Sequence, residues 1–173
     1  MKIKKVVTSL LLGITIIFAS TSVSEAYVLH GWKLPSKSST YKWGTNLDDG
    51  SSVIKSGWSA ADSAWYTASS INFTVNTSSV NTLNSWYEYS STYYGRMTTT
   101  HSDGKVTKFA GDLNSGNTNI TKSNVAKSTG VHEFGHAIGI AHTGGTSIMN
   151  SSRDRTTMHT PQTDDKNGVN AIY

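Results

Sequence analysis

"TGVHEFGHAIGIAHTGGTSIMN", residues 129–150, holds three of the chain's six histidines, His132, His136 and His142, with Glu133 directly beside the first. Only 15% of the 173 residues are charged, so this gathering in an apolar stretch needs a chemical reason. On a helix advancing about 100° per residue, His132 and His136 stand about 40° apart, one turn above the other. Val131, Phe134 and Ile138 fall on the opposite side. The spacing therefore predicts a helix with one face packed on a sheet and two imidazoles turned toward a cleft. Glu133 projects about 100° from His132, near the pair but not superposed on it.

Two neutral imidazoles one turn apart can bind a single Zn²⁺ at roughly 2.0–2.1 Å. Gly139, three residues beyond His136, can take a positive φ, end the helix and turn the chain sharply. His142, three residues further on, would then return to the metal from a third side. Three protein ligands leave a fourth position for water, as in catalytic zinc sites, and the metal lowers the pKa of that water to about 7. Glu133 is the candidate general base, taking the water's proton and delivering it to a leaving amine. A core helix with incidental surface histidines would leave Glu133 and Gly139 without a reason.

The extended pattern H-E-x-x-H-x-x-G-x-x-H, followed by a methionine turn, is the metzincin signature. Here "GGTSIMN" follows His142, and Met149 resembles the methionine that lies under the metal without ligating it. Thr143 stands where matrixins carry Ser. "PQTDDKNGVNAIY" is similar to the closing helix of matrixins, with Asp164, Asp165, Gly168, Ile172 and Tyr173. The chain thus resembles metzincin zinc metalloproteases, closest to bacterial matrixin-like peptidases. The specific match runs over residues 131–173.

That resemblance implies an α+β fold. A twisted, mostly parallel five-stranded sheet would pack on two long helices, with a small C-terminal subdomain holding the Met-turn and closing helix. It implies a zinc endopeptidase acting on a protein or peptide substrate laid along an edge strand near Arg96–Thr100. It also implies a specificity pocket built from the loop after Met149, roughly residues 150–163. Arg153 and Arg155 in that loop either favour acidic residues in a substrate or belong to a solvated surface. In active matrixins a freed N-terminal ammonium pairs with the acidic pair of the closing helix, so Tyr27 is expected to meet Asp164 or Asp165. The family's cysteine-switch propeptide and its structural-zinc set of His and Asp are not recognisable, and no Tyr stands just after Met149 to act as a further ligand.

The residues before the motif suit such a fold. "TYKWGTN" (40–46) and "INFTVN" (71–76) alternate as strands. Between them Ile54, Trp58, Ala61, Trp65 and Ala68 make one helical stripe, with Ser51 or Ser52 as N-cap. Trp58 and Trp65 read as core packing rather than a ligand-stacking pair. "SWYEYS", "GRMTTTH" and "KVTKFAGDLN" each suit a strand bounded by Gly, Asn or Ser. His101 and Asp103 read as a solvent-facing turn, not a second metal site.

The chain opens with three lysines in five residues, an apolar run from Val6 to Ala19, and small residues up to Ser24-Glu25-Ala26. This is the pattern of a secretory signal peptide, and the run is shorter than the roughly 20 residues of a spanning helix. Residues 1–26 are therefore expected to be removed. Residues 27–173 would remain as one catalytic domain, secreted, extracellular and monomeric, with no membrane attachment after cleavage. Without Lys2, Lys4, Lys5 and Glu25 the formal charge falls from +4 to +2, with no clustered basic face for nucleic acid. The absence of cysteine excludes disulfides and thiol catalysis. Two rival functions stand against the peptidase. A non-catalytic zinc-containing cell-wall binding module would have no use for Glu133 beside an open metal position. Metal-dependent hydrolysis of a non-peptide bond is disfavoured by the resemblance alone.

Overall fold

The computed structural model describes residues 27–47 and 52–173. The segment expected to be a signal peptide and residues 48–51, where a turn was expected, lie outside the described residues. Five strands form one sheet: β1 (Ser38–Trp43), β2 (Asn72–Val75), β3 (Thr82–Trp86), β4 (Gly95–Ser102) and β5 (Lys105–Asn114). Their order across the sheet is β2-β1-β3-β5-β4. All pairs are parallel except β4 with β5. Three helices complete the fold, α1 (Val53–Ser69), α2 (Ser123–Ile138) and α3 (Thr163–Ile172). This is the expected α+β architecture, with β4 on the edge where the substrate strand was anticipated.

Local chemistry explains most boundaries. α1 starts because the Ser52 side chain accepts from the Lys55 backbone N–H at 3.1 Å, satisfying a donor that the first helical turn leaves orphaned. It stops at Ser70, which takes a left-handed φ of 59°. Ile54, Trp58, Ala61 and Trp65 of its stripe are buried, while Ala68 is only partly covered. Both indoles are structural, as their sequence context suggests. Trp58 Nε1 donates to the Asn84 carbonyl (3.2 Å) and Trp65 Nε1 to the Val131 carbonyl (2.8 Å). The β4–β5 hairpin turns on Asp103 and Gly104, both at positive φ (51° and 70°), the Asp-Gly chemistry of a tight hairpin.

Two expectations need correction. The third strand is Thr82–Trp86, not "SWYEYS". Tyr87 and Tyr89 are exposed, and the chain leaves the sheet after Trp86. Asn114 holds the departing loop, accepting from the Glu88 N–H and donating to the Glu88 and Tyr93 carbonyls, each at 3.0 Å. Paired side chains such as Tyr87 and Tyr89 alternate like a strand, and the Asn114 anchor is invisible to periodicity. His101 is exposed as expected, yet it is not simply solvated. It stacks on Trp32 at 4.4 Å and 11°, and Trp32 in turn stacks on His30 at 4.4 Å and 9°.

The core sits between the sheet and the two long helices. Phe134 of α2 is fully buried. It stacks on Phe73 of β2 (4.1 Å between centroids, 19°) and meets Trp58 of α1 edge-on (5.1 Å, 68°). One ring therefore joins sheet, first helix and motif helix. Phe134→Ala is expected to destabilise the fold by about 3–5 kcal/mol, read as a fall of roughly 10 °C in melting temperature.

Candidate metal centre

α2 delivers the first two histidines, and its end delivers the third. Gly139 caps the helix with φ 117°, as the spacing predicts. Its N–H bonds back to the Gly135 and His136 carbonyls, each at 3.1 Å. A side chain there would also clash with the Trp32 carbonyl. The turn returns His142 so that its Nε2 lies 3.0 Å from His132 Nε2 and 3.1 Å from His136 Nε2. One nitrogen from each ring falls within 4.8 Å of the others.

Backbone carbonyls set the tautomers. His132 Nδ1 donates to the Ile148 carbonyl at 2.8 Å, and His136 Nδ1 donates to the Ile140 carbonyl at 3.0 Å. With their protons on Nδ1, these rings turn the Nε2 lone pairs toward one another. Burial, with nearby cationic groups, lowers all three pKa values, His136 to about 4 and His132 well below the usual range. Neutral imidazoles whose other nitrogen is fixed by a carbonyl are the ligand state that metals need. Tetrahedral bonds of roughly 2.0–2.1 Å would place ligand nitrogens about 3.3 Å apart, close to the separations seen. The donor set therefore fits zinc.

Glu133 is 5% exposed and opens with the triad onto a cavity of about 550 Å³. Burial pushes its carboxyl up to about 8, against the pull of Arg153 and Arg155. Gly95, at the start of β4, makes room for it: a Cβ there would lie 2.7 Å from Glu133 Oε1 and 2.7 Å from Thr129 Cγ2. The cleft continues on the other side of the triad as a second cavity, about 460 Å³, lined by His30, Trp32 and Thr98–Thr99.

Met149 is fully buried beneath the helix. Its Sδ occupies the space over Gly135 that a Cβ would fill. Asp165 fixes this turn. One carboxylate accepts from Ser147 Oγ (2.5 Å), the Ile148 N–H (2.8 Å) and the Gln162 N–H (2.7 Å). The other aspartate, Asp164, accepts from the Tyr27 backbone N–H at 3.0 Å. Tyr27 packs on Gly168, where an added Cβ would come within 3.1 Å of the Tyr27 Cβ.

Residues 61–173 match the sequence model of the family described as Matrixin. The chain belongs to the matrixin family. It is a zinc metalloendopeptidase, and its substrates are proteins or peptides. No curated protein matches the chain closely enough to stand beside that result. Among the described residues no helix is long and apolar enough to cross a membrane.

All four site residues picked from the sequence come together. The structure adds others. Asp165, expected as one of the closing helix's acidic pair, gains a further role in holding the Met-turn. Gly95 and Gly135 matter for close approaches that no periodicity reports. For Arg153 the sequence leaves open a substrate-facing or a solvated position. The side chain lies against the triad, with Nη1 3.0 Å from His132 Nδ1. Because that Nδ1 carries the proton given to Ile148, Nη1 donates instead to the Asn150 carbonyl at 3.1 Å. His30 also reaches the site, Nε2 to His136 Nδ1 at 3.2 Å.

The lowered histidine pKa values make the metal-free protein acid-labile. A histidine in the unfolded chain takes its proton near 6.5. His132 and His136 resist protonation while folded, so in this window the unfolded chain binds more protons and acid favours unfolding. Glu133 opposes them above about 4.5, because its raised pKa keeps it protonated in the fold. Two imidazoles outweigh one carboxyl. Chelated protein should lose little stability at pH 6.5 and about 1 kcal/mol per pH unit as pH falls from about 5.5 to 4.5. The urea midpoint measured across that range reads the loss, and a flat midpoint would contradict the burial argument.

Proposed function

We propose that the protein is a secreted zinc endopeptidase in which His132, His136 and His142 hold the metal and Glu133 is the general base. The observation that carries this is the sharing of one cavity, under a free sheet edge, by three convergent imidazole nitrogens and a buried carboxyl. Bound zinc would supply a Lewis acid that polarises a carbonyl and acidifies a water. The rest belongs to the chain. β4 offers unpaired backbone groups to an extended peptide. Thr129 and Glu133 are themselves buried in the cavity wall. Glu133 takes a proton at its carboxylate and returns it to the leaving amine. Burial favours the protonated carboxyl, which suits the return of the proton to the amine, and the charge of bound zinc would favour the carboxylate that takes it first. A zinc module without catalysis would need neither the buried carboxyl nor the glycine that accommodates it.

Chelation is expected to abolish cleavage of a generic protein substrate, and Zn²⁺ to restore it. Glu133→Ala should keep stoichiometric metal by elemental analysis and lose at least about 10²-fold in kcat/KM. Cleavage at the wild-type rate by that variant would remove Glu133 from the mechanism.

Export is supported by the sequence pattern of residues 1–26 and by the surroundings of Tyr27. Cleavage after Ala26 would turn the Tyr27 nitrogen into an ammonium already 3.0 Å from the Asp164 carboxylate. The resulting ion pair would sit one residue from Asp165, which holds the Met-turn. Protein starting one or two residues upstream of Tyr27 should therefore show lower kcat/KM than protein starting at Tyr27. Equal turnover would disconnect the N-terminus from the site.

A further inference from the structure

Two guanidinium groups face the catalytic cavity without a carboxylate of their own. Arg153 is 6% exposed, so it is not part of a solvated loop. Its Nε donates to Ser128 Oγ (3.2 Å), its Nη2 to the Ser128 carbonyl (2.9 Å) and its Nη1 to the Asn150 carbonyl (3.1 Å). Every one of these acceptors is neutral. Arg155 is half-buried. Its Nη2 donates to the Ser151 carbonyl at 3.2 Å, and its guanidinium lies 4.1 Å from the centre of the Tyr94 ring. Its Nε is buried without a hydrogen-bond partner.

Among the described residues the one ion pair is Arg96 with Asp112. Glu133 shares the cavity with both arginines but lies beyond ion-pair distance of either. Burial lowers Arg153 to about 9, and the charge of Arg155 adds to that shift. The wall thus holds two cations that repel each other and one orphan donor. Buried donors and charges are ordinarily matched, so an anionic group from outside would complete it.

We propose that this wall recognises an acidic side chain, and that the preferred substrate carries Asp or Glu immediately after the bond that is cut. This rests on the peptidase reading above. The direction follows from β4. A peptide joining its free edge in the more stable antiparallel sense runs from Thr99 toward Gly95. Residues before the scissile bond then lie beside His30 and Trp32. The residue after it points into the cavity that Arg153 and Arg155 line. Its carboxylate would pair with the Arg155 guanidinium that lines this cavity in a charge-assisted interaction. A lysine at that position would meet two positive charges.

The test uses the zinc-loaded protein and a peptide series differing only in the residues flanking the cut. Glu after the bond should exceed isosteric Gln by about tenfold in kcat/KM, and Lys should be poorest. The Glu-over-Gln ratio should shrink with added salt and collapse in Arg155→Gln. Arg155→Glu should reverse the order of Glu and Lys. The same Glu and Gln peptides bound to Glu133→Ala, followed by fluorescence anisotropy, give a readout independent of turnover. Equal affinity and equal cleavage of the two peptides, a ratio that survives Arg155→Gln, or an acidic preference confined to the residue before the bond would each overturn the proposal. Failure to cut any peptide, with tighter binding of the Glu peptide retained, would strike the peptidase reading and leave the acidic site standing.

Discussion

The turn at Gly139 is the constraint on which the site depends. A φ of 117° is strained for any residue with a side chain, and the Trp32 carbonyl fills the place where a Cβ would go. These two facts act together. The positive φ ends α2 directly after the turn that carries His132 and His136, and it reverses the chain so that His142 faces them. The close carbonyl belongs to the segment that docks there: the His30 N–H donates to the Gly139 carbonyl at 2.9 Å, and the Ala141 N–H to the Val28 carbonyl at 2.7 Å. One residue therefore closes the helix, aims the third imidazole and receives a neighbouring strand.

A second constraint comes from putting polar chemistry inside a core. His132 and Glu133 are 6% and 5% exposed, and isolated charges at such depth are costly. The fold keeps both groups near neutral and supplies a partner to His132 through a relay. Asp165 accepts from the Ile148 N–H, and the Ile148 carbonyl accepts from His132 Nδ1. The closing helix α3 thereby governs the tautomer of a ligand on α2, and Met149, the next residue, is set against Gly135 by the same anchor. The Met-turn works here as a fixed floor rather than a ligand.

The motif helix and its Gly139 end were legible because each rests on local chemistry, a 3.6-residue period and a glycine at a helix end, whereas the edge position of β4 followed from the family resemblance. Trp58 and Trp65 were legible as core because small alanines continue their stripe. The failures share a cause. "SWYEYS" alternates like a strand, but Asn114, some 26 residues away, decides where that chain leaves the sheet. Arg153 sits in a polar, loop-like stretch, and only tertiary packing over Ser128 takes it out of solvent. Gly95 and Gly135 serve close approaches between elements distant in sequence. Pattern reports what a segment does alone, whereas these residues answer to partners brought in by the fold.

The segment Val28–Leu34 illustrates the point most fully, since it has no periodicity and still ties the molecule together. Lys33 pairs in register with the start of β5, its N–H donating to the Gly104 carbonyl and its carbonyl accepting from the Val106 N–H. Lys33 Nζ donates to the Ile172 carbonyl at 2.6 Å. Tyr173 OH accepts from the Leu34 N–H and donates to the Ile138 carbonyl, at 2.9 and 3.2 Å. Burial raises that phenol to about 12, so it remains a donor throughout the working pH range. In a chain without cysteine, these bonds join both flanks of the domain to the last carbonyls of α2, the end from which the ligand turn departs. Because the metal binds the arrangement they hold and not the unfolded chain, its affinity adds to the stability of that arrangement. The bonds around Gly139 and the ligand set therefore stabilise one another, and this mutual support takes the place that disulfides occupy in many exported domains.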